Sequence, residues 1–121
     1  MENIHTITHI EIPAPDLDKA VTFYSKIFGW ETEIMPDKTY AMFRIGDSNS
    51  GGGFDTSTKP AAEKVGPGLV IDVDDINSKL EEIKKAGGKI VQEKTEIPGG
   101  YGFYARFQDT NGNHLQVHSR K

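Results

Sequence analysis

THIEIPAPDLDKAVTFYSKIFGW, residues 8–30, changes its apolar period partway along, and that change decides the fold. Polar and apolar residues first alternate. Ile10 and Ile12 leave one side and His9 and Glu11 the other, the pattern of a half-buried β-strand. The spacing then becomes helical. Leu17, Ala20, Val21, Tyr24, Ile27 and Phe28 form one apolar stripe, with Asp16 placed as N-cap and Gly29 as the residue that ends the helix. Beyond it, WETEIM, TYAMFRIGD and a segment ending in GGGF supply three short extended stretches.

The same order returns downstream. GLVIDV reads as a strand, and DDINSKLEEIKKAGG as a helix with Ile76, Leu80, Ile83 and Ala86 inward. KIVQEK, GFYARFQD and NHLQVH then read as strands. Asp16-Leu17 falls on Asp75-Ile76 at an offset of 59, and Asp47 on Asp109 at an offset of 62, so the second copy is longer in its middle. The chain is a βαβββ pattern written twice. The expected fold is α+β, with two βαβββ modules (about 1–55 and 66–121, linker 56–65) forming one domain over 1–121. One copy alone buries a curved sheet and its helix poorly; two side by side make a cup-shaped mixed sheet with the helices on its outer face.

Composition narrows the chemistry. A chain of 121 residues can bury roughly 65–70% of the surface its unfolded form exposes, enough for a core of its own. The net charge of −4, with no cluster of basic residues, leaves no electrostatic footprint for nucleic acid. Without cysteine there are no disulfides, thiolate metal sites or thiol nucleophiles. No apolar run approaches the ~20 residues that span a bilayer, and the N-terminal residues lack a signal pattern, so no membrane partner and a cytoplasmic location are expected.

THIEIPAPDLDKAVTFYSKIFGW, followed far downstream by FQDTNGNHLQVH, resembles the vicinal oxygen chelate superfamily, which includes glyoxalase I, bleomycin-resistance proteins and extradiol dioxygenases. The resemblance spans nearly the whole chain. It rests on a strand opening with His, then Asp-Leu, Phe-Tyr and Gly in the first helix, and a late Asp-x-x-Gly-Asn turn. It implies paired βαβββ modules and a homodimer. It implies no single reaction, because the family holds lyases, dioxygenases, epimerases and drug binders. In its metal-using members the ion is held by the first and last strands of each module. Carried over position by position, those places are His9, Gly68, Phe54 and Gln116. Catalytic zinc usually has three protein ligands, and the non-haem iron triad two histidines and a carboxylate. One imidazole and one neutral amide fall short of both, so no metal or other cofactor is expected. A shifted register that brought His118 to His9 and Glu11 would restore a His-His-carboxylate set; otherwise His118 is a solvated histidine near the frayed end of the chain.

Strand parity sends His9, Glu11, Val70, Asp72, His114 and Gln116 to the face away from the helices, and Met42, Arg44, Tyr104 and Arg106 join them from the third strands. Phe43 and Ile45 are matched with Ala105 and Phe107 on the core side. Such a lining, apolar with a few polar groups, suits a small organic ligand. The candidate ligand-binding residues are therefore His9, Glu11, Arg44, Phe54, Val70, Asp72, Tyr104, Arg106, His114 and Gln116, with Phe54, Tyr104 and Trp30 as stacking aromatics. If the protein is an enzyme, Glu11 or His9 is its general base. The structural alternative is a hydrogen bond from His9 to Glu11 or to a neighbouring strand. The glycines of SNSGGGF are expected in a turn, or where another backbone approaches closely, such as a partner subunit. IPGGYG, residues 97–102, reads either as a flap or as a hairpin turn. The function expected is that of a superfamily member binding a small ligand without a catalytic metal; the alternative is a metal-dependent lactoylglutathione-lyase-like lyase or isomerase.

Overall fold

The structure, a computed structural model, describes residues 5–121. Its elements follow the doubled pattern. The first copy runs β1 (His9–Pro13), α1 (Leu17–Phe28), β2 (Glu31–Ile34), β3 (Tyr40–Arg44), β4 (Gly51–Asp55). The second runs β5 (Val70–Asp72), α2 (Ile76–Lys85), β6 (Lys89–Glu96), β7 (Phe103–Gln108), β8 (His114–Ser119). Each forms a four-stranded mixed sheet, ordered β1-β4-β3-β2 and β5-β8-β7-β6, in which the first and last strands of the copy pair in parallel and the other pairs are antiparallel. The two compact units divide between Lys59 and Pro60. Among the described residues no helix is long and apolar enough to cross a membrane.

The helices begin and end where their capping chemistry places them. Asp16 accepts the Lys19 amide at 3.2 Å, and Gly29, at φ +68°, donates its N–H to the Ser25 carbonyl at 3.1 Å. Asp75 caps α2 in the same way through the Ser78 amide at 3.2 Å, and Gly87, at φ +96°, turns the chain out of it. α1 packs on β2, β3 and β4; α2 packs on β6, β7 and β8.

In the first unit the core between helix and sheet is aromatic. Trp30 lies 4.8 Å from both Tyr24 and Phe43, and Phe54 lies 5.2 Å from Tyr24 and 4.7 Å from Phe43, all as ring centroids. Phe23, which the spacing left out of the stripe, is also buried. In the second unit Ile76, Leu80 and Ile83 cover Ala105, Phe107, Leu115 and Val117. The Asp-x-x-Gly-Asn turn between β7 and β8 is built around buried Asp109, whose carboxylate accepts the backbone amides of Asn111 and Asn113 and the Asn113 side-chain amide, each at 2.9 Å. Gly112, at φ +94°, closes it.

The pairing register corrects the alignment of the two copies. Ile12 stands beside Phe54, and Ile71 beside Val117, so the last strands superpose 54 on 117, an offset of 63. Matching Asp47 with Asp109 had given 62, because that match runs through turns of unequal length. One residue is one face. Phe54 therefore points toward α1 and is fully buried, and the counterpart of Gln116 is Gly53. The third strands correspond as Ala41 with Ala105 and Phe43 with Phe107, all four buried. Phe54 and Trp30 belong to the core and have no free ring face to stack on a ligand. Phe54→Ala is expected to lower the unfolding free energy by about 3–5 kcal/mol in a denaturant titration; a loss below about 1 kcal/mol would contradict this placement.

Candidate functional site

On the first sheet, register lines up two rows of side chains on the face away from α1. One is His9, Gly51, Arg44, Glu31; the next is Glu11, Gly53, Met42, Glu33. In both rows the position on β4 is a glycine, so the middle of the sheet carries no side chain of its own. SNSGGGF is thus largely strand, and its three glycines have ordinary extended backbone in place of the expected turn. Close approach does explain them, but within the chain. A Cβ on Gly52 would strike the Ile10 carbonyl and the Phe43 ring, and one on Gly53 would fall on the ring and hydroxyl of Tyr40.

Tyr40 is the site residue that the sequence did not disclose. It stands on β3 opposite Asp55, leans across bare Gly53 and reaches β1. Its hydroxyl donates to Glu11 Oε2 at 2.6 Å and lies 3.2 Å from His9 Nε2. His9 Nε2 is itself 2.6 Å from the same Glu11 oxygen. One carboxylate oxygen thus collects a phenol and an imidazole. With the phenol as donor to Glu11, the short contact from His9 is best made by an Nε2–H, which leaves Nδ1 as the nitrogen with a lone pair. Among the described residues nothing hydrogen-bonds to Nδ1, and the His9 side chain is half exposed. Burial, then donation to Glu11, then repulsion by the Glu11 and Asp55 charges push the Tyr40 phenol up to about 12. At neutral pH Tyr40 is a donor and not a base.

Beside this cluster the glycine strip opens into a groove of about 530 Å³ whose lining includes His9, Glu31, Glu33, Met42, Arg44 and Gly51. Arg44 is exposed there and makes no ion pair among the described residues.

The second sheet's face away from α2 carries the other candidates. Val70, Gln116, Arg106 and Gln92 form one row; Asp72, His118, Tyr104 and Thr95 form the next. Val70 is 55% exposed, and His114, Gln116, Tyr104 and Arg106 are half-buried. The Arg106 guanidinium lies 5.7 Å from the Tyr104 ring, and the Tyr104 hydroxyl accepts Gln92 Nε2 at 2.8 Å. His118 is not frayed. It sits on β8, between β5 and β7, with Nδ1 2.9 Å from Asp72 and Nε2 2.7 Å from the Tyr101 carbonyl. Two acceptors favour the doubly protonated ring, and the Tyr101 carbonyl first, then the Asp72 carboxylate, raise its pKa. These bonds also anchor the tip of IPGGYG, which forms the turn from β6 to β7, closed by Ile97 N–H to the Gly102 carbonyl at 2.8 Å.

The donor set can be tested against the metal of the metal-using relatives. With the register corrected, the four positions carry His9, Gly53, Gly68 and Gln116: one imidazole, one amide and two residues without a side-chain donor. Among the described residues no three His, Asp or Glu side chains gather as ligands do. The residues present do not fit a resident dication of that type, which needs three protein donors.

Comparison with known proteins gives a consistent family. The sequence profile of the Glyoxalase/Bleomycin resistance protein/Dioxygenase superfamily matches residues 6–117. A Glyoxylase-like domain-containing protein of Didymella fabae is 30% identical over 112 residues, 88% of each chain. A probable lactoylglutathione lyase of Vibrio cholerae is 26% identical over 127 aligned positions, covering 97% of this chain and 92% of that one. Among solved structures, an E126Q mutant of the fosfomycin resistance protein FosX of Listeria monocytogenes, complexed with Mn(II) and 1S,2S-dihydroxypropylphosphonic acid, superposes with a TM-score of 0.78. It is 18% identical, over 97% of this chain and 91% of that one. Lactoylglutathione lyase from Agrobacterium tumefaciens gives a TM-score of 0.70 at 20% identity, over 98% and 96%.

The Tyr40 bridge makes a pH-dependent contribution with a definite sign. A phenol that loses its proton near 12 when folded and near 10 when unfolded adds stability in full below about 10, and that stability is gone by about 12. Followed by ¹³Cζ NMR, Tyr40 is expected to titrate near 12 in the wild type and to move down toward 10 in Gly53→Ala, whose methyl displaces the ring. Titration near 10 in the unmutated protein would contradict the bridge.

Proposed function

The chain belongs to the Glyoxalase/Bleomycin resistance protein/Dioxygenase superfamily, and from that premise we propose that it takes up a small organic ligand on the sheet face turned away from its helices and moves a proton there without a resident metal. The reading is carried by the His9–Glu11–Tyr40 cluster, three polar groups that hydrogen-bond one another at the edge of a glycine-floored groove. His9 Nδ1 is the base. Glu11 is its orienting group, holding Nε2–H. Tyr40 keeps the Glu11 oxygen fixed from the other side. A nitrogen base beside an open groove suits removal of a proton from carbon next to a carbonyl, the step at the root of many isomerase and lyase reactions. Met42 supplies apolar surface in the groove, and Arg44 a cation for the ligand's polar end.

A second reading has its own support: the relatives named lactoylglutathione lyase favour a metal-dependent lyase or isomerase. The depleted ligand positions weigh against it. The two readings separate in one experiment on protein purified without chelators. On the first, elemental analysis finds no stoichiometric zinc, nickel or iron, and the protein catalyses deuterium exchange into acetone or 4-oxopentanoate in D₂O. His9→Ala and Glu11→Gln then lose about 10²-fold or more of that exchange, the range for positioned acid–base groups, while Glu11→Gln keeps its affinity for the ketone. Stoichiometric metal, or an exchange rate indifferent to His9, would contradict it.

A further inference from the structure

Arg106 has no role in the cluster just described, yet its setting is specific. Its Nε is buried and donates to nothing among the described residues. A buried donor left unpaired is costly, and more so on a charged group. The guanidinium is also held in place, lying 5.7 Å from the Tyr104 ring, which Gln92 pins by its hydroxyl. Gln92 is itself braced by Thr95 Oγ1 at 3.2 Å. Among the described residues no carboxylate pairs with the charge. In the Arg106 row the neighbours are Gln116, Gln92 and Val70, and Asp72, in the next row, is bonded to His118. Arg106 makes no ion pair among the described residues. Gly68 leaves open the space beside the Gln116 amide, where a Cβ would come within 3.3 Å of Nε2.

A held guanidinium with no ion pair among the described residues, neutral amides on both sides and an exposed valine at the end of the row suits a single planar negative charge on an apolar body. From this we infer that the open face of the second sheet binds the carboxylate of a small organic acid, with Arg106 as its fork and Gln116 as a flanking amide donor. A carboxylate meets the guanidinium through two parallel N–H···O bonds, which lysine cannot supply. Neutral flanking amides match one charge and give nothing to the second charge of a phosphate dianion. Val70 gives the organic part an apolar wall. The inference rests on the reading that the open faces take up an organic ligand. It fails separately from that reading, because exchange into acetone, which has no carboxylate, depends on His9 and not on Arg106.

The test follows the Arg106 Nε–H resonance of the ¹⁵N-labelled full chain during titration with benzoate, benzamide and inorganic phosphate. Benzoate is expected to move that resonance saturably, with benzamide and phosphate at least about tenfold weaker, as loss of a charge-assisted bond implies. Calorimetry is expected to show Arg106→Lys weakening benzoate about tenfold or more and Arg106→Gln abolishing measurable binding. An Nε–H resonance that benzoate leaves unmoved would overturn the assignment in the wild-type protein, even if neither variant folds. So would equal binding of benzoate and benzamide, or phosphate binding as tightly as benzoate.

Discussion

The constraint on which the first unit turns is the missing side chain at Gly53. Glycine inside a strand weakens it, by backbone entropy and by giving the sheet nothing to pack. β4 carries three in succession, offset by its position between β1 and β3, with partners on both sides. The bare backbone lets two aromatic side chains of β3 cross β4 on opposite faces. Phe43 folds over Gly52 into the core beneath α1, and Tyr40 folds over Gly53 to Glu11 and His9. One glycine run therefore shapes the core and the site together.

The consequence for chemistry is an imidazole with one nitrogen committed and the other, among the described residues, without a partner. A half-exposed histidine alone would rotate and offer either nitrogen. Glu11 fixes the ring by Nε2, and Tyr40, protonated throughout the physiological range, fixes Glu11. The second sheet treats its histidine in the opposite way. His118 spends both nitrogens on Asp72 and the Tyr101 carbonyl and so serves structure. Its neighbour Arg106 carries the unanswered donor there. Two copies of one pattern thus present different groups on their open faces, one an imidazole and the other a guanidinium.

Much of this was legible in the sequence because short-range rules govern it. The switch from period two to helical spacing, the Asp caps and Gly29 fixed the two helices. Strand parity placed His9, Glu11, Arg44, Val70, Asp72, Arg106 and Gln116 on the face away from the helices, and the His9–Glu11 bond follows from two residues on one face of a strand. What was lost depends on pairing between distant segments. Tyr40 is 31 residues from His9, and nothing local says that its ring crosses a glycine. The one-residue slip that put Phe54 in place of Gly53 came from turns of unequal length, and parity turned that slip into a change of face. Trp30 and Phe54 were mistaken for stacking residues because an aromatic in a core and an aromatic in a site look alike until their neighbours are known.

Glu11 holds His9 as the Nε2–H tautomer, and Nδ1 has no partner among the described residues. Long-range ¹H–¹⁵N correlation of the His9 ring near neutral pH tests it directly. A protonated Nε2 and a Nδ1 with pyridine-like shift are expected, converting to a rapidly averaged tautomer mixture when Glu11 is replaced by Gln. A ring already averaged in the wild type, or protonated at Nδ1 with Nε2 bare, would contradict it.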